Sequence, residues 1–365
     1  MRKLNIGILG TRGIPNHYGG FEYAAEKISA GLALRGHEMT VYNSDKHPYR
    51  GDRWNGVRII RCADPENKVG TIGQFVYDFN CIRDARRRGY DIILMMGYTS
   101  SSVWGKWFPR DGIVISNMDG LEWKREKYSK PLRLFLKVAE RLAVRYSDFY
   151  IADSIIIRDY LREKYRIDPV YIPYGADAHP LPELQDDARE KYYMLMARME
   201  PENNVETILT GFHHSRSKKN FVVVGNTENR FGKYLVNLFR NESRIRFAGS
   251  IFDRGQIGRL FAGTYIYFHG HSVGGTNPSL LQAMANRALI ASHENAFNHA
   301  VLQDDALYFS SVPDVRDIIE QTSLGSREKD MVSNNLKKIC HEFNWDAVVD
   351  RYEEFIYGCF EGKKK

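Results

Sequence analysis

The sequence predicts an α/β protein made of two Rossmann-like domains. Short apolar runs alternate with helical patterns through the first half, and the same alternation restarts in the second half. A proline- and glycine-containing stretch with the character of a linker separates the two. The 365 residues, 43% hydrophobic and 27% charged, are enough for two cores at roughly 100–200 residues per domain.

In chain order, the first-half strand candidates are Leu4 to Leu9, Glu38 to Tyr42, Arg58 to Arg61, Asp91 to Met96, Gly112 to Ser116, Phe149 to Ala152 and Val170 to Ile172. Phe21 to Arg35 carries apolar residues at helical spacing and stops at Gly36, which closes one βαβ unit. The linker falls near Ala176 to Asp187, dividing the chain into domains at 1–178 and 179–342. The second half offers strands at Tyr193 to Ala197, Phe221 to Val224, Ile245 to Phe247, Tyr265 to Phe268, Ala288 to Ser292 and Ala306 to Phe309. Helical patterns cover Asn204 to His213, Phe231 to Phe239, Gln256 to Ala262 and Ser279 to Asn286. A last segment, 343–365, holds a helix from about Trp345 to Cys359 expected to return to the first domain, followed by the basic tail Lys363 to Lys365.

Composition removes several function classes. No window approaches the roughly 20 apolar residues of a membrane span, and the amino terminus meets glycines too early for a secretory signal, so a cytoplasmic protein is expected. The cysteines, Cys62, Cys81, Cys340 and Cys359, lie far apart without metal-ligand spacing, so neither a disulfide framework nor a metal site is expected. The net charge of +7 is uneven. From Lys124 to Arg145 the basic residues Lys124, Arg125, Lys127, Lys130, Arg133, Lys137, Arg141 and Arg145 face only Glu126 and Glu140. From Pro131 the segment reads as an amphipathic helix with a basic face, suited either to an anionic lipid surface or to plain solvation. Nucleic acid is not an expected partner, because these charges lie on one helix without interleaved aromatic platforms.

Two loops carry the chemistry. Gly10 to Gly20, GTRGIPNHYGG, joins the first strand to the first helix. It lacks the GxGxxG spacing of a dinucleotide site and the GKS or GKT of a P-loop. Gly19 and Gly20 would let backbone N–H groups approach a phosphate, with Arg12 and His17 as polar contacts; the other reading is a lid without fixed contacts. Tyr265 to Ala285, YIYFHGHSVGGTNPSLLQAMA, runs from strand through a glycine- and hydroxyl-rich loop into a helix. Exposed N–H groups and the helix dipole there point the same way, which suits an anion, although backbone crowding alone also selects such glycines.

The segments GTRGIPNHYGGFE, NMDGLEWKREKY, ADSIIIRDYL, IPYGAD, ARMEPENN and GHSVGGTNPSLL together resemble the GT-B glycosyltransferases of family 4. More narrowly they resemble bacterial capsule and O-antigen rhamnosyltransferases with a DUF1972-type N-terminal domain. The resemblance implies two facing Rossmann-like domains, a C-terminal helix crossing back to the first, and a nucleotide-sugar donor held mainly by the second domain. It also implies retention of configuration with no metal or other cofactor, since helix dipoles, N–H groups and basic side chains neutralise the leaving diphosphate. Arg198 matches the diphosphate-binding arginine, the alternative being an ion pair with Glu200 or Glu202. Asp119 lies near the position of a catalytic-site histidine and is assigned, with Glu122, to the acceptor hydroxyl or the donor sugar.

The family pattern is broken at three positions. Asn203 stands where many members have a lysine, so Arg230 or Arg12 would have to share the diphosphate charge. Gly274 and Gln282 stand in place of paired glutamates. Gly274 and Gly275 leave donor contacts to backbone N–H groups with Thr276 or Asn277, and Gln282 offers the ribose a neutral amide. A deoxyribose donor such as dTDP-L-rhamnose tolerates that loss best. His269 and His271 are further candidates, or satisfied structural histidines. The implied acceptor is a lipid-linked saccharide at the inner membrane face, where the enzyme would be peripheral. Two other readings remain open. One is a catalytically impaired GT-B protein acting as a saccharide-binding or assembly partner. The other is an enzyme of the same fold with different chemistry, such as a sugar-nucleotide epimerase.

Overall fold

A computed structural model describes residues 2–17, 19–118, 120–125, 128–177, 192–251 and 253–362. The first half runs β1 (Asn5–Leu9), α1 (Gly20–Leu34), β2 (Glu38–Ser44), β3 (Arg53–Trp54), β4 (Val57–Cys62), α2 (Glu66–Val69), α3 (Ile72–Ala85), β5 (Ile92–Met96), β6 (Ile113–Asn117), α4 (Lys130–Tyr146), β7 (Phe149–Ala152), α5 (Ile155–Tyr165) and β8 (Val170–Tyr171). The second runs β9 (Tyr192–Met196), α6 (Val205–His214), β10 (Asn220–Val224), α7 (Arg230–Leu238), β11 (Ile245–Gly249), α8 (Arg254–Ala262), β12 (Thr264–His269), α9 (Pro278–Ala285) and β13 (Ile290–His293). It continues through α10 (Ala296–Leu302), β14 (Leu307–Phe309), α11 (Val312–Gln321), α12 (Ser326–His341) and α13 (Trp345–Gly362).

The chain forms two units. One comprises residues 1–123, 130–174 and 345–365; the other comprises 124–129 and 175–344. The first unit's sheet has the order β3-β4-β2-β1-β5-β6-β7-β8. All its pairs are parallel except the short β3–β4 hairpin. Continuous burial along β5 and β6 is what a sheet covered on both faces requires. The second unit's sheet is parallel throughout, ordered β11-β10-β9-β12-β13-β14. Its aromatic core includes Tyr193, Phe212, Phe221, Phe268 and Phe309. In both sheets the order reverses beside the unit's first strand, at β1/β5 and at β9/β12. Doubly wound sheets hold ligands outside the carboxyl ends of such a pair.

The returning helix is present. α13 packs on α1, where Gly31 leaves room for Val349. Arg35 pairs with Asp350 at 2.6 Å and Glu353 at 2.7 Å, and the Tyr357 hydroxyl donates to Arg2 O at 2.5 Å. The tail Lys363 to Lys365, and most of the expected linker, lie outside the described residues. Sequence periodicity does not single out α2, α3, α10, α11 or α12.

The basic helix is α4, and its buried stripe is Leu136, Ala139, Glu140 and Ala143, spaced for one helix face. Glu140 is not a surface counter-charge. It is 1% exposed and accepts from Trp123 Nε1 (3.1 Å), Tyr160 OH (2.8 Å), Lys164 Nζ (2.8 Å) and Tyr165 OH (2.6 Å). Several donors around one buried carboxylate are what its desolvation demands. Leu132, Leu134 and Val138 point outward instead, exposed among the basic residues.

Candidate active site

The second unit's switch point brings together the loop after β9 and the loop after β12. Arg198 leaves β9 and is exposed; among the described residues its guanidinium forms no ion pair with Glu200, Glu202 or any other carboxylate. Glu202 is 3% exposed, and Arg125 NH1 lies 3.9 Å from its Oε1. The segment carrying Arg125 comes from the first half of the sequence but belongs to the second unit. Sequence reasoning gave neither Arg125 nor Glu202 this role, and no local pattern links residues so far apart.

Asn203 and Asn204 lace the two loops together. Asn203 is 2% exposed and donates from Nδ2 to Arg198 O at 2.8 Å, which fixes the backbone that presents the guanidinium. Its Oδ1 has no partner. Asn204 donates to Gly270 O at 2.8 Å, and Ser272 donates to Glu202 O from N (3.1 Å) and Oγ (2.8 Å). Gly270 is dictated by this approach, because a Cβ there would stand 2.1 Å from Asn203 O.

Beyond Ser272 the loop opens. Gly274 has φ +147 and nothing within 4 Å of where a side chain would begin. Gly275 follows, Thr276 is buried, and Asn277 caps α9 by accepting from Ser279 N at 2.9 Å and Ser279 Oγ at 2.7 Å. The Asn277 oxygen is therefore committed to the helix. Gln282, in the second turn of α9, is half-buried, and its side-chain amide makes no hydrogen bond among the described residues.

His269 is 1% exposed and stacks on His271, with ring centroids 4.5 Å apart at 16°. Among the described residues, neither ring nitrogen of His269 has a hydrogen-bond partner, nor does Nδ1 of His271. Burial, with His271 and His293 nearby, holds His269 well below the usual histidine range. Burial and the positive Arg198 and Arg125 push His271 down to about 3. Both rings are therefore neutral at pH 7. Arg230 is exposed at the start of α7, next to Asn229, whose Nδ2 donates to Met199 O at 2.8 Å.

The first unit's switch point is built differently. Glu22 Oε1 accepts from Arg12 N at 3.0 Å, and Glu26 Oε2 accepts from Asn16 N at 2.6 Å. Asn43 bonds both Ile14 N (3.1 Å) and Ile14 O (2.7 Å). Arg12, Ile14 and Asn16 of this loop are thus held by fixed contacts, unlike a lid without them. Arg12 forms a two-pronged ion pair with Glu66, one arm at 2.9 Å, so its charge is already matched. His17 packs edge-on against His47 at 4.2 Å. Gly19 caps α1 without a side-chain bond, and a Cβ on it would lie 3.2 Å from Glu22 Oε2. A carboxylate thus occupies the place beside Gly19 and Gly20 where the sequence suggests a phosphate.

Glu122 opens a short 3-10 turn and is partly exposed, whereas Asp119 lies outside the described residues. Among the described residues, no three His, Cys, Asp or Glu side chains converge as metal ligands.

A family described as "Domain of unknown function (DUF1972)" matches residues 104–177. No curated protein sequence matches the chain. Among solved structures, the chain is similar to sucrose-phosphate synthase from Thermosynechococcus elongatus, at TM-score 0.78 and 16% identity over 99% of this chain and 100% of that one. It is also similar to Anabaena HepE in complex with UDP-glucose, at TM-score 0.75 and 14% identity over 97% and 99%. The lipopolysaccharide outer core galactosyltransferase WaaB in its apo form matches at TM-score 0.64 and 12% identity over 98% and 99%. With its two parallel-sheet units and these full-length matches, the chain has the GT-B fold of such glycosyltransferases.

Proposed function

We propose that this protein is a retaining glycosyltransferase whose nucleotide-sugar donor binds at the β9/β12 switch point. One observation carries the reading: among the described residues, the elements that follow β9 and β12 carry an exposed guanidinium without a carboxylate, a side-chain amide without a hydrogen bond and buried histidine nitrogens without partners. Arg198 takes the diphosphate, N–H groups of the loop through Gly274 and Gly275 share its charge, and Gln282 meets the ribose. The acceptor hydroxyl attacks the anomeric carbon as the bond to the leaving phosphate breaks. Its proton passes to a phosphate oxygen, so no protein nucleophile is required. Glu122 and Asp119 are assigned to the acceptor hydroxyl or the donor sugar.

We assign dTDP-L-rhamnose as donor, because a glutamine with neutral hydrogen bonds suits a deoxyribose. HepE in complex with UDP and UDP-glucose supports a nucleoside diphosphate sugar as the class. The acceptor is a lipid-linked saccharide in capsule or O-antigen synthesis, reached by peripheral docking on the inner membrane face. No helix among the described residues is long and apolar enough to cross a membrane. Exposed Leu132, Leu134 and Val138 beside Arg133, Lys137 and Arg141 give α4 the apolar and cationic surface that docking needs.

A thermal-shift panel of sugar nucleotides tests the donor, with stabilisation expected from thymidine nucleotides above uridine ones. Transfer or donor hydrolysis that disappears in Arg198→Ala supports the enzyme. Absence of turnover with every sugar nucleotide supports a saccharide-binding protein instead. For docking, charge reversal at Arg133, Lys137 and Arg141 is expected to weaken binding to anionic vesicles by more than about 100-fold, since loss of the three charges alone removes about 3 kcal/mol at about 1 kcal/mol per basic residue. Binding indifferent to vesicle charge sinks that part.

A further inference from the structure

His271 lies on the loop after β12, which is laced to the loop that carries Arg198. Its backbone is clamped. Asn295 and Asn298 donate to His271 O at 3.1 and 3.0 Å, and the next residue, Ser272, is tied to Glu202 O. The bonds at His271 O and Ser272 fix the backbone that presents the ring. The ring stacks on His269, and its Nδ1 has no hydrogen-bond partner among the described residues.

The charged and titratable groups around it come from each packed element. Arg198 follows β9, Arg125 lies on the segment 124–129, Glu202 sits in the 3-10 turn beneath, and His269 and His293 belong to β12 and β13. Glu202 already faces Arg125, and Glu294 acts on His293. Burial first, and then the two guanidiniums, keep the imidazole neutral, pushed down to about 3. A diphosphate on Arg198 reverses that field. It brings two or more negative charges near the ring, and an opposite charge within about 4–6 Å favours the protonated imidazole.

We propose that His271 takes up a proton when a nucleoside diphosphate binds, and so supplies the second cation that Asn203 cannot. The proton comes from solvent and lodges on the imidazole; no bond of the nucleotide is made or broken. The inference rests on the assignment of this crevice to the donor diphosphate. It gives the site a pH dependence of known sign: affinity is highest below the pKa of the filled state and falls as pH rises through it. The same proton leaves when the diphosphate departs.

Calorimetry on the full chain with dTDP and with UDP tests this at pH 7, in buffers of different ionisation enthalpy. The slope of apparent enthalpy against buffer enthalpy counts protons taken up. Wild type is expected to take up between half and one proton more than His271→Gln, and to lose affinity by up to tenfold per pH unit above the filled-state pKa while the variant loses less. In case the variant folds poorly, imidazole nitrogen NMR of labelled wild type reads the same event directly: one neutral ring becomes doubly protonated on adding dTDP. Equal uptake by wild type and variant, or no new imidazolium signal, overturns the inference and leaves the donor site standing. Failure of both nucleotides to bind overturns the donor site as well.

Discussion

The two units place the same topological feature, a reversal of strand order, under crevices of opposite chemical character. At β1/β5 most polar groups answer one another: Glu22 and Glu26 hold the loop's N–H groups, Asn43 holds Ile14 from both sides, and Arg12 is matched by Glu66, while the buried Thr11 hydroxyl has no hydrogen-bond partner among the described residues. At β9/β12 they do not. Among the described residues Arg198 has no carboxylate, the Gln282 side-chain amide makes no hydrogen bond, and buried ring nitrogens of His269 and His271 are unpaired. Buried polar atoms left unpaired are expensive, so a crevice that keeps several of them together is shaped for something that binds there. A crevice that satisfies itself is shaped to hold its own loop.

The sharpest way to break this contrast is to exchange one residue on each side. Arg198→Ala removes charge-assisted hydrogen bonds of about 1.5–3 kcal/mol, so nucleoside diphosphate affinity should fall roughly 10- to 150-fold. Because the side chain is exposed and unpaired, the melting temperature should hardly move. A calorimetric Kd within twofold of wild type would remove Arg198 from the site. Asn43→Ala is the mirror experiment. It strands Ile14 N and O in the first crevice and should lower unfolding free energy by about 1–3 kcal/mol in urea titrations, with nucleotide affinity unchanged. If affinity falls with stability, the first crevice belongs to the donor site after all.

Much of this was legible in the sequence, for physical reasons that differ by feature. The strands declare themselves because parallel strands buried on both faces are unbroken apolar runs, as in IILMM and NFVVV. The loop after β12 declares itself through glycines that close packing imposes, as at Gly270. α3 did not, because its buried stripe includes Asp78, a carboxyl that burial raises to about 7 while Ser100 bonds it at 2.5 Å. A charged letter on the inner face hides the helical period. Glu140 misleads the same way: in sequence it is one of two acids among eight bases, and only its Trp123, Tyr160, Lys164 and Tyr165 donors show that it is buried. The Arg125–Glu202 pair had no signal, because long-range charge pairing leaves no trace in local spacing.

A smaller effect sharpens the second crevice. Gln282→Glu restores a charged acceptor where ribose hydroxyls are expected. Each hydroxyl bond should gain on the order of 0.5–1.5 kcal/mol, and UDP has one hydroxyl more than dTDP. The ratio of UDP to dTDP affinity should therefore rise about 3- to 10-fold. An unchanged ratio would place the ribose away from α9.

The smallest expected effect concerns the first crevice and the phosphate that the sequence suggested for it. α1 begins at Gly20 with no side-chain cap, so its first N–H groups and dipole present positive potential. Glu22 answers that potential from inside the helix while its Oε1 accepts from Arg12 N. An anion arriving beside Gly19 must therefore displace or endure a carboxylate. Glu22→Gln keeps an acceptor for Arg12 N and removes the charge. It should cost about 0.3–1 kcal/mol of stability through the lost dipole interaction. It should also let sulfate raise the melting temperature, where in wild type sulfate has no such site at this crevice. If sulfate stabilises wild type and variant alike, with Arg198→Ala included to remove the other crevice, then Gly19 and Gly20 already bind an anion. The self-satisfied character of the first crevice would then be wrong.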